Sequence, residues 1–225
     1  MSETTSNNHI SITRLIFIPS VITLAITVLR LVGELQHWSE TLFNPEPGGP
    51  GSIIGITWLA PIFGVYFALK LSGAGAGPAS AGRAILYAVI GLIVMFAGGI
   101  LGFSLSGLFP GQLFVGLLII AASALILFPA WPALFKVLIA YAYAARIPVT
   151  ILMYFAIRGQ WGTHYDVVPP NFPSDKGFLE TFMLIGFLPQ MIFWIAFTVV
   201  IGALFGSIAT ALLRRKPAAQ AAGAA

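Results

Sequence analysis

The sequence predicts an all-α integral membrane protein: a bundle of six transmembrane helices with two longer outer loops. Three observations predict it. Hydrophobic residues fill 58% of the 225 positions and charged residues only 8%, against about a quarter charged in an average soluble domain. The apolar residues gather into six runs divided by Gly/Pro-rich or charged segments. Basic residues concentrate on one set of alternating connections, as the positive-inside rule requires. The mean hydropathy of +0.95 agrees. With no cysteine, disulfides, thiol chemistry, Fe–S clusters and thiolate zinc sites are excluded. The net charge of +4 lies mostly in helix flanks, so it reports topology rather than nucleic-acid binding.

Residues 1–13 are polar and are expected to be a disordered cytoplasmic N-terminus. The run 15–33, flanked by Arg14, is the first predicted span; no small-x-small cleavage site follows it, so it is not read as a signal peptide. Segment 34–51 carries Glu34, Glu40 and Glu46, has no Lys or Arg, and ends in a Gly/Pro-rich turn. Helix 2 is predicted over 52–69 with Pro61 inside it. The basic, Gly/Ala/Ser-rich stretch 70–83 reads as a flexible linker. Helix 3 follows over 84–105, then a tight turn around Pro110 and helix 4 over 112–128. Pro129 and Pro132 break the chain before helix 5, 133–157. The second long loop, 158–177, is aromatic and holds His164, Asp166 and Asp175. Helix 6 extends over 178–213, about 54 Å at 1.5 Å per residue, well beyond a hydrocarbon core of ~30 Å. A bend at Gly186 or Pro189 is therefore expected. Arg214, Arg215 and Lys216 stop it, and the tail 214–225 reads as disordered. Residues 14–213 make a single transmembrane domain.

Arg14, Lys70, Arg83, Lys136 and the three basic residues at 214–216 flank one face of this bundle; Arg158 and Lys176 flank the other, with six of the seven acids. Both termini are thus expected in the cytoplasm of a bacterial inner or plasma membrane, with the long loops outside. Ala84, Ala88, Gly91, Gly98 and Gly102 share one face of helix 3, as Gly202 and Gly206 do on helix 6. Small residues let helix backbones approach closely in lipid. Two uses stay open: packing within the bundle, or a seam to a second copy or partner protein through Gly98, Gly102, Gly202 and Gly206. Arg30 to Pro61 and Arg158 to Pro189 have the same spacing, so the two hairpins could form an internal repeat.

Arg146 is the least comfortable residue. It lies near the middle of helix 5, two residues before Pro148, where a charge costs ~2.5–3.5 kcal/mol and ordinarily faces the bundle interior with a partner. Pro148 leaves the carbonyl of Ala144 without its helical donor. Gln190, beside Pro189, is expected at comparable depth, and the hydroxyls of Tyr141, Tyr143 and Tyr154 are candidate neighbours. No acidic residue is available there. Either carbonyls, Gln190 and tyrosines satisfy the guanidinium, or it meets an anionic ligand in an outward-opening cavity. Arg30 and Glu34 stand one helical turn apart and can pair; the alternative is that they line the mouth of that cavity. His37 and His164 lie in outer loops near Glu34, Glu40 and Asp166 and could form an outer-surface metal or acid–base site, but they lack the spacing of such a motif. No histidine falls in a predicted helix, which argues against bis-histidine haem and leaves Ser104 and Ser106 without a base.

The leading expectation is a binding or transport protein for a small anionic or amphiphilic ligand, with no cofactor, no metal and no catalytic residues. In size, helix count and inward termini the predicted architecture is similar to the membrane-embedded binding subunits of energy-coupling-factor vitamin transporters, a likeness of architecture carried by no residue motif. The alternative is a non-enzymatic accessory or assembly subunit of a membrane complex. The third is an outer-surface enzyme working through His164, Asp166 and His37.

Overall fold

The structure, a computed structural model, describes residues 11–49, 52–104, 108–170 and 172–213. The expectations for the N-terminal ten residues, the turn at 105–107 with Ser106, and Arg214, Arg215, Lys216 and the tail lie outside them. Every regular element among the described residues is helical. We label them α1 (Ile12–Leu35), α2 (Leu59–Gly73), α3 (Ala81–Gly99), α4 (Gln112–Leu125), α5 (Pro132–Gly159) and α6 (Phe178–Leu213). A π-helical turn, Ile100–Ser104, extends α3. Two more, Phe182–Phe187 and Pro189–Phe193, interrupt α6.

Local chemistry sets the helix ends. Ser11 and Ser80 cap α1 and α3, each side chain accepting the amide hydrogen three residues on. Pro132 opens α5 at a position where its missing N–H costs nothing. Gly111, at φ +82°, makes the left-handed turn into α4.

α6 is the spine of the bundle, packed on α2, α3 and α5; α4 leans on α3, and α1 rests mainly on α5. The core between them holds Phe67, Ile120, Leu134, Leu138, Val199 and Val200, all fully buried. The outward faces are as apolar as the core: Phe17, Ile93, Phe114, Leu118 and Leu212 are all more than half exposed. That inversion suits a hydrocarbon surround, not water.

Four helices are long and apolar enough to cross a membrane: Ile12–Leu35, Ala81–Phe103, Pro132–Gly159 and Phe178–Leu213. Two of the six expected spans fall short of that length. α2 has 15 residues and α4 has 14, about 22 and 21 Å at 1.5 Å per residue. The expected start of helix 2 at Ser52 is seven residues early, because 52–54 is tied to the preceding loop instead. Ile53 and Ile54 donate their amides to the carbonyls of Thr41 and Leu42, and the Ser52 hydroxyl donates to Leu42 O at 2.6 Å. Pro61 consequently falls in the first turn of α2, not mid-helix, where it breaks no hydrogen bond. α4 stops at Leu125, short of the expected 128, since Pro129 disfavours helix at Phe128.

The glycine stripes face the chain's own helices. A methyl group at Gly98 would meet Gly116 O at 2.8 Å, and one at Gly102 would meet Gly116 Cα at 3.3 Å. Gly202 and Gly206 lie against Gly64 of α2, backbone on backbone. These four glycines are therefore engaged in packing α3 on α4 and α6 on α2.

Candidate functional site

The buried face of α1 is polar. Thr23, Thr27, Arg30 and Glu34 follow one another at helical spacing and are all at most 9% exposed, while the opposite face shows Phe17, Ile18, Val21 and Leu24. The Arg30 Nε donates to Glu34 Oε1 at 2.8 Å, and Nη2 donates to Asn44 O at 3.2 Å. Glu34 also receives the loop that follows α5: the backbone N–H of His164 donates to Oε2 at 2.9 Å, and its Nδ1 stands 2.5 Å from Oε1. A carboxylate only accepts, so Nδ1 carries the hydrogen. Burial lowers the pKa of His164 and the Arg30 charge works in the same direction, against the pull of Glu34 and Asp166.

Asp166 makes the loop's shape. Its carboxylate accepts from the amides of Gly162 and Thr163 and from the Thr163 hydroxyl, at 2.9, 2.8 and 2.7 Å, and so presents His164 and Tyr165 to α1. The Tyr165 hydroxyl donates to Thr27 O at 3.3 Å, and burial raises its pKa. Replacing Glu34 with alanine removes the shared anchor and strands Arg30, an expected cost of about 3 kcal/mol. Hydrogen exchange should rise across residues 162–167 while the α2–α6 core stays protected. Unchanged exchange in the loop would place its anchorage elsewhere.

This loop roofs a cavity of about 1070 Å³. Arg30 and His164 line it from α1 and the roof; Ser52, Ile56 and Trp58 from the non-helical stretch before α2; Arg146, Val149 and Met153 from α5; and Pro189, Gln190 and Trp194 from α6. All three π-helical turns contribute to its wall, through Gly102 and Phe103, Leu184 and Ile185, and Pro189 and Gln190. Pro189 has no amide hydrogen to continue the α ladder, and wider turns take over on either side of it: Leu188 donates to Met183 O and Trp194 to Pro189 O. The expected bend in helix 6 thus takes the form of π turns that bring Gln190 to the cavity.

Arg146 is 4% exposed and lines this cavity. Its Nη1 donates to Gln190 Oε1 at 3.2 Å. The guanidinium lies over the Trp194 ring, 4.6 Å from the centroid. Its Nε is buried without a hydrogen-bond partner. Among the described residues the ion pairs are Arg30–Glu34, His164–Glu34 and Lys176–Glu180, so no carboxylate neutralises Arg146. An unsatisfied buried donor costs about 1–3 kcal/mol, more when charged.

The structure thus brings Arg146, Gln190 and Arg30 to one cavity and sets Glu34 behind Arg30. None of the three tyrosines is among the residues that line the cavity. Tyr141 is buried in the α1–α2–α5 core, bonded to the Thr23 hydroxyl at 2.8 Å and edge-on to Phe63 and Phe67. Tyr143 lies on the outer face of α5, as its position three residues before Arg146 but off the buried stripe dictates. Tyr154 joins an aromatic cluster with Phe155, Phe178 and Phe182. His37 sits exposed in a positive-φ turn after α1, and no group of three or more His, Asp or Glu among the described residues is placed to hold a metal ion. Sequence reasoning missed Trp194 and the docking of His164 on Glu34. Trp194 had a signal, being one helical turn beyond Gln190 on a mostly helical segment.

Fold and site together define a helical membrane protein with a deep, largely apolar cavity holding one unneutralised cation. Comparison with protein-family models, curated proteins and solved structures finds no match to the chain.

Proposed function

We propose that the protein binds or transports a small anionic or amphiphilic ligand, which enters between the outer loops and reaches Arg146. One observation carries this reading: a buried guanidinium with an orphan Nε and no carboxylate partner lines a cavity of about 1070 Å³. Ligand pockets ordinarily run to ~300–1,000 Å³, apolar with a few polar groups that converge. The broken path of α6 supports it as well, since interrupted helices that line a cavity are the usual setting of transporter sites. In this reading all six helices belong to the membrane domain, α2 and α4 being completed by their flanking segments. Both termini are cytoplasmic, and the loops after α1 and α5 face outward.

Native mass spectrometry of protein extracted gently from its own membrane, with Arg146→Ala beside it, tests the reading. A bound small molecule in the parent and its loss in the variant is the expected result, and its mass identifies the ligand. Stoichiometric partner subunits, unchanged by the substitution and with no small molecule, would favour an accessory subunit instead.

A further inference from the structure

The base of the cavity is a set of donors without an acceptor-only partner, and that restricts what it can hold. Arg146 has a buried Nε with no partner, and its Nη1 donates to Gln190 alone. Gln190 uses Oε1 to accept from Arg146, while its Nε2 donates only to the thioether of Met153 at 3.5 Å, a weak acceptor. The amide hydrogens can therefore turn to a better one. A hydroxyl or amide head can accept from these donors, but it brings a donor of its own and no charge to meet the guanidinium. An ionised oxyacid accepts only.

Charge counting narrows it further. Two arginines line the cavity, and Arg30 is already paired with Glu34. One positive charge is left. A monoanion balances it; a dianion would leave a second charge uncompensated in an apolar enclosure. The shape of the site favours a flat head. The Arg146 Cζ lies over the Trp194 ring, 4.6 Å from its centroid, so a planar carboxylate can pair with a free edge of the guanidinium beside the ring. The rest of the wall is largely apolar: Val149 and Met153 stand one and two turns further along α5, and Ile26, Ile56, Leu184 and Ile185 line the same cavity.

We propose that the cavity takes a long-chain monocarboxylate, its head held by Arg146 and Gln190 and its chain running along Val149 and Met153 toward the roof. This rests on the ligand-binding reading above and names the ligand class.

Four probes presented to the full chain in a non-ionic detergent decide it, with titration calorimetry and tryptophan fluorescence as readouts: palmitate, hexadecanol, acetate and phosphatidylglycerol. Palmitate should bind and perturb Trp194, a change lost in Trp194→Phe. Hexadecanol and acetate should bind at least about tenfold more weakly, the loss of one charge-assisted pair or of the buried chain. Phosphatidylglycerol, a monoanionic phosphodiester, should also fall below palmitate. In Arg146→Gln, palmitate should drop to the level of hexadecanol; Gln190→Leu, which keeps the charge, should show a smaller loss. Equal binding of hexadecanol and palmitate by the parent, tighter binding of phosphatidylglycerol, or acetate matching palmitate would each overturn the proposal. If no probe binds yet a co-purified anion disappears with Arg146→Ala, the ligand class is wrong and the cavity reading stands. If neither occurs, both fail.

Discussion

Arg146→Ala is expected to abolish ligand binding while leaving the bundle as stable as the parent, or more so. The substitution deletes one hydrogen bond to Gln190 and a cation–π contact with Trp194, the latter worth about 0.5–2 kcal/mol. It also removes a charge whose placement in a membrane costs ~2.5–3.5 kcal/mol and a buried Nε that nothing satisfies. The space left behind opens onto a cavity that already exists, so no new sealed void forms. A residue retained at a stability cost is the mark of a functional site. The check is a thermal melt of purified parent and variant alongside ligand occupancy. A drop in melting temperature of more than about 5 °C, near the shift ~1–2 kcal/mol produces in a chain of this size, would make Arg146 a structural strut and remove the ground for the cavity reading.

Gly64→Leu should be the most damaging single substitution in the bundle. Gly64 of α2 lies so close to the backbone of Gly202 on α6 that even a methyl group would overlap Gly202 O and Cα. Both neighbours are main chain, so no rotamer change relieves the overlap; the helices must separate. That would unpack Phe63, Phe67 and Ala203 from the core, at an expected cost of 3 kcal/mol or more, above the usual ~1–3 for overpacking because backbone must move. Gly99→Leu is the control: nothing lies within 4 Å of the position where its Cβ would be. Size-exclusion chromatography in detergent should give a monodisperse peak for Gly99→Leu and aggregate for Gly64→Leu. Two equally monodisperse variants would mean that the α2–α6 crossing is looser than this geometry.

How far the site could be read in advance depended on whether its residues share an element. The pairing of Arg30 with Glu34 follows from i, i+4 spacing on one helix. The meeting of Arg146 with Gln190 came from matching depths on two spans, and the structure puts them 3.2 Å apart. Depth says nothing about azimuth: Tyr141 and Tyr143 lie five and three residues before Arg146, yet one points into the core and the other outward. His164 could be put near Glu34 only as an outer-loop neighbour; the direct bond between them spans 130 residues and depends on an Asp166-bound turn. Hydropathy also overran the start of α2, because Ile53 and Ile56 look the same in a helix and in an apolar cavity wall.

By itself the sequence determined a helical membrane protein, the prolines that break it, and a buried arginine with no acid to meet it. Those features are local: they depend on composition, on a proline's missing hydrogen and on the cost of a charge in hydrocarbon. Only the tertiary structure decided that α6 opens into π turns beside Arg146, that the loop after α5 folds over onto Glu34, and that the glycine faces close on the chain's own helices. Each of these depends on which helix face meets which. Apolar surroundings on both sides erase the polar–apolar contrast by which a sequence ordinarily reveals that choice.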